Sequence, residues 1–540
     1  MKRLFHATIC LLLLTATAQT LKAQSCGNDE KYHLPYKNTY VKEPLVTENE
    51  FRVARPETIE PRSYDEARQI LPNPIWEGHA KEVEMYWRAW EIALRNIRAP
   101  QPGSGFVSSY LDTAYNGNIF MWDSSFILMF ARYGTRFFPF QRTLDNFYAK
   151  QHPDGFICRE IKADGADCFE RYDPVSTGPN LMPWCEMVYY HQFGDTDRLH
   201  RIFPALCAYY KWLQLNRTWR NGTYWSSGWG TGMDNMPRVP EGYSPIYSHG
   251  HMVWLDTNLQ QLYMASLLLE MGFYLERWQE IEELEDEMKM LTSYIRQHLW
   301  DEKTGFLYDE YADGSLCQAK GIGAYWALMT DVLDQKQTDR LVAHLSDTAS
   351  FKRPYMVPSL AADHPKYKSN GRYWQGGIWP GTNYMVMQGL YKKGYLKQAR
   401  EVALSHYSQV FEVYKKTNTF WEYYAPEAAE PGFMARKDFV GWTGLAPIAE
   451  LIEFIIGIKA DYAENQIVWD LNLTEANGIE RYPFGPDGLI TLKAAARRQV
   501  KDEPQISVES NCDFTLIVRY GAGKEKRMEI KANAAPQVSK

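Results

Sequence analysis

The sequence predicts a mainly α-helical body of paired helices arranged in a ring, followed by a small C-terminal β-sandwich. Between about residues 76 and 460, apolar residues recur at three- and four-residue steps in about a dozen segments, which is the period of a helix with one buried face. After about residue 462, apolar residues alternate or run over strand lengths between turn residues. With 45% hydrophobic residues among 540, the chain can bury a core for both parts.

The first 25 residues have the composition of an export signal. A basic start precedes an apolar run from Ile9 to Leu14, and small residues lead to Cys26. We expect residues 1–25 to be removed, and two outcomes stay open: a lipid on Cys26 as the new N-terminus, or plain cleavage after Ala23. The sequence therefore predicts an exported protein that is periplasmic, or anchored to the outer membrane of a Gram-negative bacterium through Cys26.

Charge and cysteine content exclude several classes of function. The chain has 59 Lys and Arg against 66 Asp and Glu, and an acidic protein binds nucleic acid poorly. The eight cysteines include no CxxC pair, so neither a zinc site nor a disulfide framework is indicated, although Cys158 and Cys168 could bridge in an oxidising compartment. We expect no nucleic-acid partner, no cofactor and no metal site.

Residues 26–75 are polar, lack sustained periodicity, and are predicted to form an extended arm that packs on the body. The body spans residues 76–461. Its helical period is clearest in 255–272 and 443–457, which run up to Gly272 and Gly457, residues typical of helix ends. The other helices are predicted at about 79–97, 119–134, 139–151, 181–193, 199–215, 274–299, 319–333, 336–347, 380–393 and 396–416.

The predicted β-sandwich spans residues 462–540. Its clearest strands are 488–493, 505–509 and 514–520, which are separated by Pro, Gly, Asn and Asp. The helices of the body are joined by long loops that are rich in aromatic residues and glycine. Long loops without structure of their own are usually functional, so we expect the inner helices and these loops to enclose a pocket.

Four loop segments carry the candidate chemistry: GNIFMWDSSF at 117–126, GWGTGMDNMPR at 228–238, GRYWQGGIWPGTN at 371–383 and FWEYYAPEAAEPG at 420–432. Taken singly, each acid in them also fits a helix cap or an exposed side chain. Together they place carboxylates in aromatic surroundings, as glycoside hydrolysis requires. One carboxyl must stay protonated to donate to the leaving oxygen, and the other must stay ionised to activate water.

The ordered set WDSSF, SGWGTGMDNMPR, VPSLAADHP, YWQGGIWPGTN, FWEYYAPE and FVGWTGLAPI resembles glycoside hydrolase family 63 and the related trehalase and mannosylglycerate hydrolase-like enzymes over residues 80–460. The resemblance implies an (α/α)6 toroid that hydrolyses α-glycosidic bonds of oligosaccharides, usually α-glucosides, with inversion. It implies Asp234 as general acid and Glu422 as general base. The substrate-binding residues that we expect are Trp122, Asp123, Asn180, Trp229, Arg238, Trp374, Gln375, Trp379 and Tyr423.

The sequence departs from the family pattern at two places. Gln375 stands where family members typically have Arg in YWRG, and Ala-Pro-Glu-Ala-Ala-Glu-Pro replaces the Gly-rich run typical of trehalases, which argues against trehalase itself. Glu427 and Glu430 remain rival bases. Two other functions stay open: a glycan-binding surface lipoprotein without catalysis, and a lyase or unsaturated-uronyl hydrolase, whose Tyr/His pair and basic residues these loops lack apart from His249 and His251.

Overall fold

The computed structural model describes residues 39–112, 116–521 and 523–532, together with the backbone of residues 537 and 538. The predicted export signal and Cys26 lie outside the described residues. The α-helices are α1 (Tyr64–Ile70), α2 (Ala80–Arg95), α3 (Met121–Ala131), α4 (Asp145–Ala149), α5 (Met182–Phe193), α6 (Thr196–Asn216), α7 (Gly228–Thr231), α8 (Leu255–Tyr274), α9 (Glu283–Tyr294), α10 (Gln335–Ala343), α11 (Pro380–Lys392) and α12 (Leu396–Thr417).

Further helical segments have a tighter or wider winding. They include the 3-10 helices Ile322–Met329 and Trp442–Leu445 and the π-helices Ile295–Leu299 and Ala446–Ile456. Each of the twelve predicted helical segments contains helix. Gly457 ends the last helix as expected, with φ +95 and its N–H bonded to the carbonyl of Ile452.

The boundary predicted at Gly272 is wrong. Helix α8 continues to Tyr274, and the next predicted helix, 274–299, begins as α-helix only at Glu283. A Cβ on Gly272 would lie 3.1 Å from the Cα of Trp278, because the chain folds back over this position. The glycine therefore permits a close packing contact within the helix and does not mark its end.

Six helices contact one another in a closed order. Along the chain, α3 contacts α5, α5 contacts α8, and α8 contacts the 3-10 helix Ile322–Met329, which contacts α11. Helix α11 contacts Trp442–Leu445, which returns to α3. These are called the ring helices below. Helices α2, α6, α9 and α12 pack against them from outside, so the body is a layered helical structure.

The C-terminal region is β-rich. The strands are β1 (Asn73–Trp76), β2 (Ile97–Arg98), β3 (Tyr110–Leu111), β4 (Ile119–Phe120), β5 (Glu160–Ile161), β6 (Trp300–Asp301), β7 (Phe306–Leu307), β8 (Ile458–Asp461), β9 (Gln466–Asp470), β10 (Asn477–Phe484), β11 (Gly488–Ala494), β12 (Ile506–Ser510), β13 (Phe514–Tyr520), β14 (Lys524–Ile530) and β15 (Gln537–Val538). Nine of these strands form two sheets, one in the order β1-β10-β11-β12-β15 and the other in the order β14-β13-β9-β8, whereas β2–β7 form three two-stranded ladders, β2-β3, β4-β5 and β6-β7. The three strands predicted most clearly are β11, β12 and β13.

The predicted arm is not extended throughout. Helix α1 lies within it, started by a capping box in which the side chains of Ser63 and Glu66 bond each other's backbone N–H. Strand β1 then pairs antiparallel with β10, Asn73 opposite Glu480. The end of the arm is thus part of the C-terminal sheet.

Cys158 and Cys168 are both free thiols, so the bridge between them that the sequence left open is not formed. None of the helices in the described residues is long and apolar enough to cross a membrane.

Candidate active site

The predicted site segments meet at the N-terminal ends of the ring helices. Asp123 lies in the first turn of α3. Strands β4 and β5 pair just before it, and the N–H of Met121 bonds the carbonyl of Arg159 at 2.8 Å. This small ladder positions Arg159, whose charge opposes the rise that burial causes in the pKa values of Asp123 and Asp234.

Asp234 lies in a tight turn after α7. Ser227 caps that helix by accepting the N–H of Gly230, and Gly232 ends it with φ +71. A Cβ on Gly228 would lie 2.6 Å from the carbonyl oxygen of Asp234, and one on Gly232 would lie 3.0 Å from the Trp122 ring. The glycines thus let the backbone bend closely enough to bring Asp234 beside α3.

Glu422 is held by a neighbouring strand-like segment. Its N–H bonds the carbonyl of Arg436 at 3.0 Å, and its Oε2 accepts the N–H of Arg436 at 3.3 Å. The indole of Trp442, at the start of a ring helix, donates to its carbonyl at 2.7 Å. These bonds fix the backbone of Glu422 and use one of its two carboxylate oxygens.

Tyr373 joins the carboxyls. Its hydroxyl donates to Oδ2 of Asp234 at 3.1 Å. Burial, followed by the charges of Asp234, Glu422 and Asp123, raises the pKa of this phenol far above its ordinary value. All three acids therefore lie within electrostatic reach of one hydroxyl.

The three carboxyls have raised pKa values. Burial and then the negative charge of Glu422 raise the pKa of Asp123 to about 8. Burial also raises the pKa of Asp234, against the opposing effect of Arg159, and that of Glu422, which the charge of Asp234 raises further. Each side chain still keeps some accessible surface. Carboxyls that are desolvated yet still reachable from solvent are typical of sites of acid–base chemistry.

Asn235 ties the loop of Asp234 to the third predicted segment. Its side-chain oxygen accepts the N–H of Trp374 at 2.8 Å, and its carbonyl accepts the Gln375 side-chain amide at 3.4 Å. Gln375 therefore binds the protein backbone with its amide N–H and positions the loop.

Trp374, Trp379 and Tyr423 form a stack of rings. The Trp374 and Trp379 ring centroids are 4.1 Å apart, and those of Trp379 and Tyr423 are 4.3 Å apart. Each residue is only 2% exposed. These three predicted sugar-binding residues are therefore almost fully buried and stack on one another, and the Tyr373 ring packs edge-on against Trp379 and Tyr423.

Arg238 is also committed within the protein. Its guanidinium bonds Asp256 at 2.7 and 2.5 Å and Asp309 at 2.9 Å, and it is 5% exposed. It anchors the end of the loop that carries Asp234 to helix α8. The structure therefore places Arg238 as a positioning residue and not as a free ligand for substrate.

Three predicted binding residues keep unused capacity. Trp122 is 8% exposed and supports Gly232, whereas Trp229 is partly exposed, with the Arg159 guanidinium 5.2 Å from its ring centroid. Asn180 is 2% exposed and has no hydrogen-bond partner for either side-chain atom among the described residues. An unpaired buried amide costs about 1–3 kcal/mol, so it favours a ligand with hydroxyl groups.

The rival bases differ from Glu422. Glu427 bonds Arg353 at 2.6 and 3.0 Å and the Tyr367 hydroxyl at 2.7 Å, and the Arg353 pairing lowers its pKa. Glu430 is exposed. Neither is desolvated as Glu422 is. Tyr373, Arg159 and Asn235 were not predicted from the sequence. Tyr373 and Asn235 lie within quoted motifs, but only the fold shows what they contact.

Known proteins are similar to the part of the chain that carries the three carboxyls. Residues 116–443 match the family model described as mannosylglycerate hydrolase MGH1-like glycoside hydrolase domain, and this span includes all three carboxyls. The mannosylglycerate hydrolase of Thermus thermophilus is 24% identical over 372 residues, covering 57% of this chain and 88% of that protein.

A probable mannosyl-oligosaccharide glucosidase of Schizosaccharomyces pombe is 24% identical over 282 residues, covering 46% of this chain and 34% of that protein. Among solved structures, the GH63 mannosylglycerate hydrolase of Thermus thermophilus in complex with glucose superposes with a TM-score of 0.55 at 21% identity, over 67% of this chain and 99% of that one. At this identity the superposition demonstrates a shared fold.

Proposed function

The chain belongs to the MGH1-like family of glycoside hydrolases, and from that premise we propose that it is an inverting hydrolase of α-glycosidic, specifically α-glucosidic, bonds in oligosaccharides. The observation that carries the proposal is the pair Asp234 and Glu422. They come from loops 188 positions apart, both have raised pKa values, and both keep accessible surface. No observation favours the alternative of glycan binding without catalysis.

In the proposed reaction, the protonated Asp234 carboxyl donates its proton to the glycosidic oxygen, and the bond from that oxygen to the anomeric carbon breaks. The ionised Glu422 takes a proton from water, whose oxygen bonds the anomeric carbon from the opposite face. The product is a free sugar of inverted configuration and an alcohol. Glu422 returns its proton to solvent and Asp234 takes one back, which restores the starting state.

The desolvated surroundings support both roles. Burial favours the protonated form of Asp234, as an acid requires, and the Tyr373 hydroxyl can stabilise the carboxylate that forms after proton donation. Burial also makes Glu422 a stronger base than an exposed glutamate. We assign Asp123 and Asn180 to hydroxyl groups of the substrate, because Asp123 is desolvated yet still reachable, and both polar side-chain atoms of Asn180 are buried without a hydrogen-bond partner among the described residues.

We propose an (α/α)6 toroid at residues 76–461 and a β-sandwich at 462–540 as the architecture. The closed order of contacts among the ring helices and the two C-terminal sheets support it. We also propose export with removal of residues 1–25, followed by lipidation of Cys26 or cleavage after Ala23, on the sequence alone. The mass of the native protein tests this, because an intact Met1 would contradict it.

The test of the function is a time course of hydrolysis of α-linked gluco- and manno-disaccharides, followed by proton NMR. We expect an α-glucoside to be cleaved and the β-anomer of the released sugar to appear first, before mutarotation. If the α-anomer appears first, the reaction is retaining and the roles of the two carboxyls are wrong. If no α-glycoside is cleaved, the proposed substrate class is wrong.

A further inference from the structure

A cavity lies at the opposite end of the ring helices from the carboxyls. Its volume is about 690 Å³, within the roughly 300–1,000 Å³ of small-molecule sites. The end of α11, the π-helix Ala446–Ile456, helix α12 and strands of the β-rich region form its wall. Helix α11 begins next to Trp379 and has 13 residues, so about 20 Å separates the two sites along its axis.

Arg400, on α12, is one of the cations that line this cavity. Its Nε atom is buried without a hydrogen-bond partner, and burial lowers its pKa. No carboxylate of the described residues forms an ion pair with it. A guanidinium has five N–H donors, and leaving them unpaired in a partly buried position costs free energy. The position therefore favours an acceptor supplied from outside the protein.

Lys459 is a second cation in the wall. Its Nζ lies 4.1 Å from the ring centroid of Tyr391 and 4.0 Å from that of Phe454. The ammonium donates to the backbone carbonyl of Glu453. Because an ammonium has three donors, two remain for a ligand. Burial lowers the pKa of Lys459 to about 8, so the group stays mostly charged at neutral pH.

The deepest acids of the wall are already bound by protein donors. The carboxylate of Glu453 accepts hydrogen bonds from Arg132 at 2.7 Å and from Tyr384 at 3.0 Å. That of Asp470 accepts the Tyr391 hydroxyl at 2.7 Å. The other two acids that line the cavity, Glu401 and Glu525, pair with Lys352 and Arg519. The wall therefore presents unused donors, while each of its carboxylates is already bonded.

We propose that this cavity binds a small oxyanion-bearing ligand, with its carboxylate or phosphate between Arg400 and Lys459. Leu404, which is 37% exposed, and Tyr520 line the same cavity and offer surface for the body of the ligand. The site is separate from the acids that perform hydrolysis, so the proposal does not depend on the proposed reaction.

The test is isothermal titration of the mature protein with inorganic phosphate, D-glucuronate and D-glucose. We expect saturable binding of at least one of the two anions, weakened ~10-fold or more in Arg400→Met and in Lys459→Met, because each removes a charged hydrogen-bond donor. Phosphate binding alone indicates a site for a free anion, and glucuronate binding alone a site for a charged sugar. Any binding of glucose, which reports on the active site, should be the same in all variants.

Lys393→Met is the matched control. Lys393 follows α11 directly but bonds Asp331 at 2.6 Å and does not line the cavity, so anion affinity should not change. A crystal of the wild-type protein grown with phosphate locates the ion whether or not the variants fold. The proposal is overturned if neither anion binds saturably, if the ion lies elsewhere, or if Arg400→Met and Lys459→Met bind as tightly as the wild type.

Discussion

Two groups of buried acids in this protein differ in how fully their oxygens are bonded. Glu186, on α5, accepts four hydrogen bonds: two from Arg198 at 2.8 Å, one from Gln141 at 2.8 Å and one from Tyr148 at 2.8 Å. That number matches the roughly four lone-pair sites of a carboxylate. Asp234 and Glu422, in the candidate active site, keep lone-pair sites that the protein does not fill. Bonding capacity, more than burial, separates a structural acid from a candidate catalytic one.

The distinction has a physical reason. A saturated buried carboxylate is stabilised as an ion and holds helices together, since removing one partner leaves an uncompensated charge. A desolvated carboxylate with free lone pairs is less stable as an ion, which raises its pKa and leaves it able to exchange protons with a substrate. The fold provides the first kind between its helices and the second kind at one end of the ring. We therefore expect substitutions in the two groups of acids to differ in their effects on activity and stability.

The largest effect should come from Glu422→Gln. We expect kcat/KM to fall ~10²–10⁴-fold for every substrate, because water must be activated whichever group leaves. Asp234→Asn should cause a similar loss with natural oligosaccharides and a clearly smaller one with aryl or fluoride glycosides, whose leaving groups need little protonation. Steady-state kinetics of both variants on both substrate classes measure this.

Matched thermal unfolding shows whether either variant is simply misfolded. Full activity in Glu422→Gln would mean that another group is the base. An equal loss of both substrate classes in Asp234→Asn would remove the assignment of Asp234 as the acid.

The opposite result is expected for the saturated group. Arg198→Met leaves Glu186 and Asp145 without their main cation, and it should lower the free energy of unfolding by about 3–5 kcal/mol. The kcat of the folded enzyme should stay near that of the wild type, since these residues lie between α4, α5 and α6, away from the pocket. Denaturant unfolding and active-site-normalised kinetics give the two numbers. If Arg198→Met kept its stability but lost activity, the structural role assigned to Glu186 and Asp145 would be wrong.

The structure also shows which features of the fold and of the candidate site the sequence alone predicts. Each of the twelve predicted segments contains helix, because apolar residues at helical spacing form a local sequence pattern. Position in aromatic, glycine-rich loops selected Asp123, Asp234 and Glu422, and the structure brings them together. A local sequence pattern does not predict which distant segments of the chain contact one another.

Arg238 illustrates that limit. Its place in the GMDNMPR motif predicted contact with substrate, but Asp256 and Asp309, from later parts of the chain, bind its guanidinium. Strand β1 is another case, since its four residues pair with a strand about 400 positions later. Tyr373 carries no charge and stands among other aromatic residues, so only the fold reveals that its hydroxyl bonds Asp234.

The two groups of acids should also differ in how the stability of the protein depends on pH. Asp123 has a pKa of about 8 in the folded protein and about 3.9 when unfolded. Between these values the folded state binds the extra proton, so stability falls as pH rises, by at most about 1.4 kcal/mol per pH unit. Asp123→Asn cannot bind that proton. The unfolding free energy of Asp123→Asn should therefore be closest to that of the wild type near pH 4. Relative to the wild type, it should then increase as the pH rises to 8.

Denaturant unfolding of both proteins at several pH values measures the difference between them. Because Asp123, Asp234 and Glu422 influence one another, the transition belongs to the group as a whole. Parallel curves for the two proteins would show that Asp123 is not held protonated, and it would then belong with the saturated acids.

The smallest effect is expected for Glu427→Gln, which tests the comparison inside a single loop. Glu427 lies five residues after Glu422, but Arg353 and Tyr367 bind its carboxylate and the Arg353 pairing lowers its pKa. A base needs a free lone pair and a pKa near the working pH, whereas Glu427 has three of its roughly four lone-pair sites bonded and a lowered pKa. We expect kcat/KM to change less than about 3-fold, with a stability loss of about 1 kcal/mol or less because the pair is partly exposed. Steady-state kinetics of Glu427→Gln beside Glu422→Gln decide between the two acids. If Glu427→Gln lost as much activity as Glu422→Gln, a partly exposed, ion-paired carboxylate could be the base. Unfilled bonding capacity would then not identify the base.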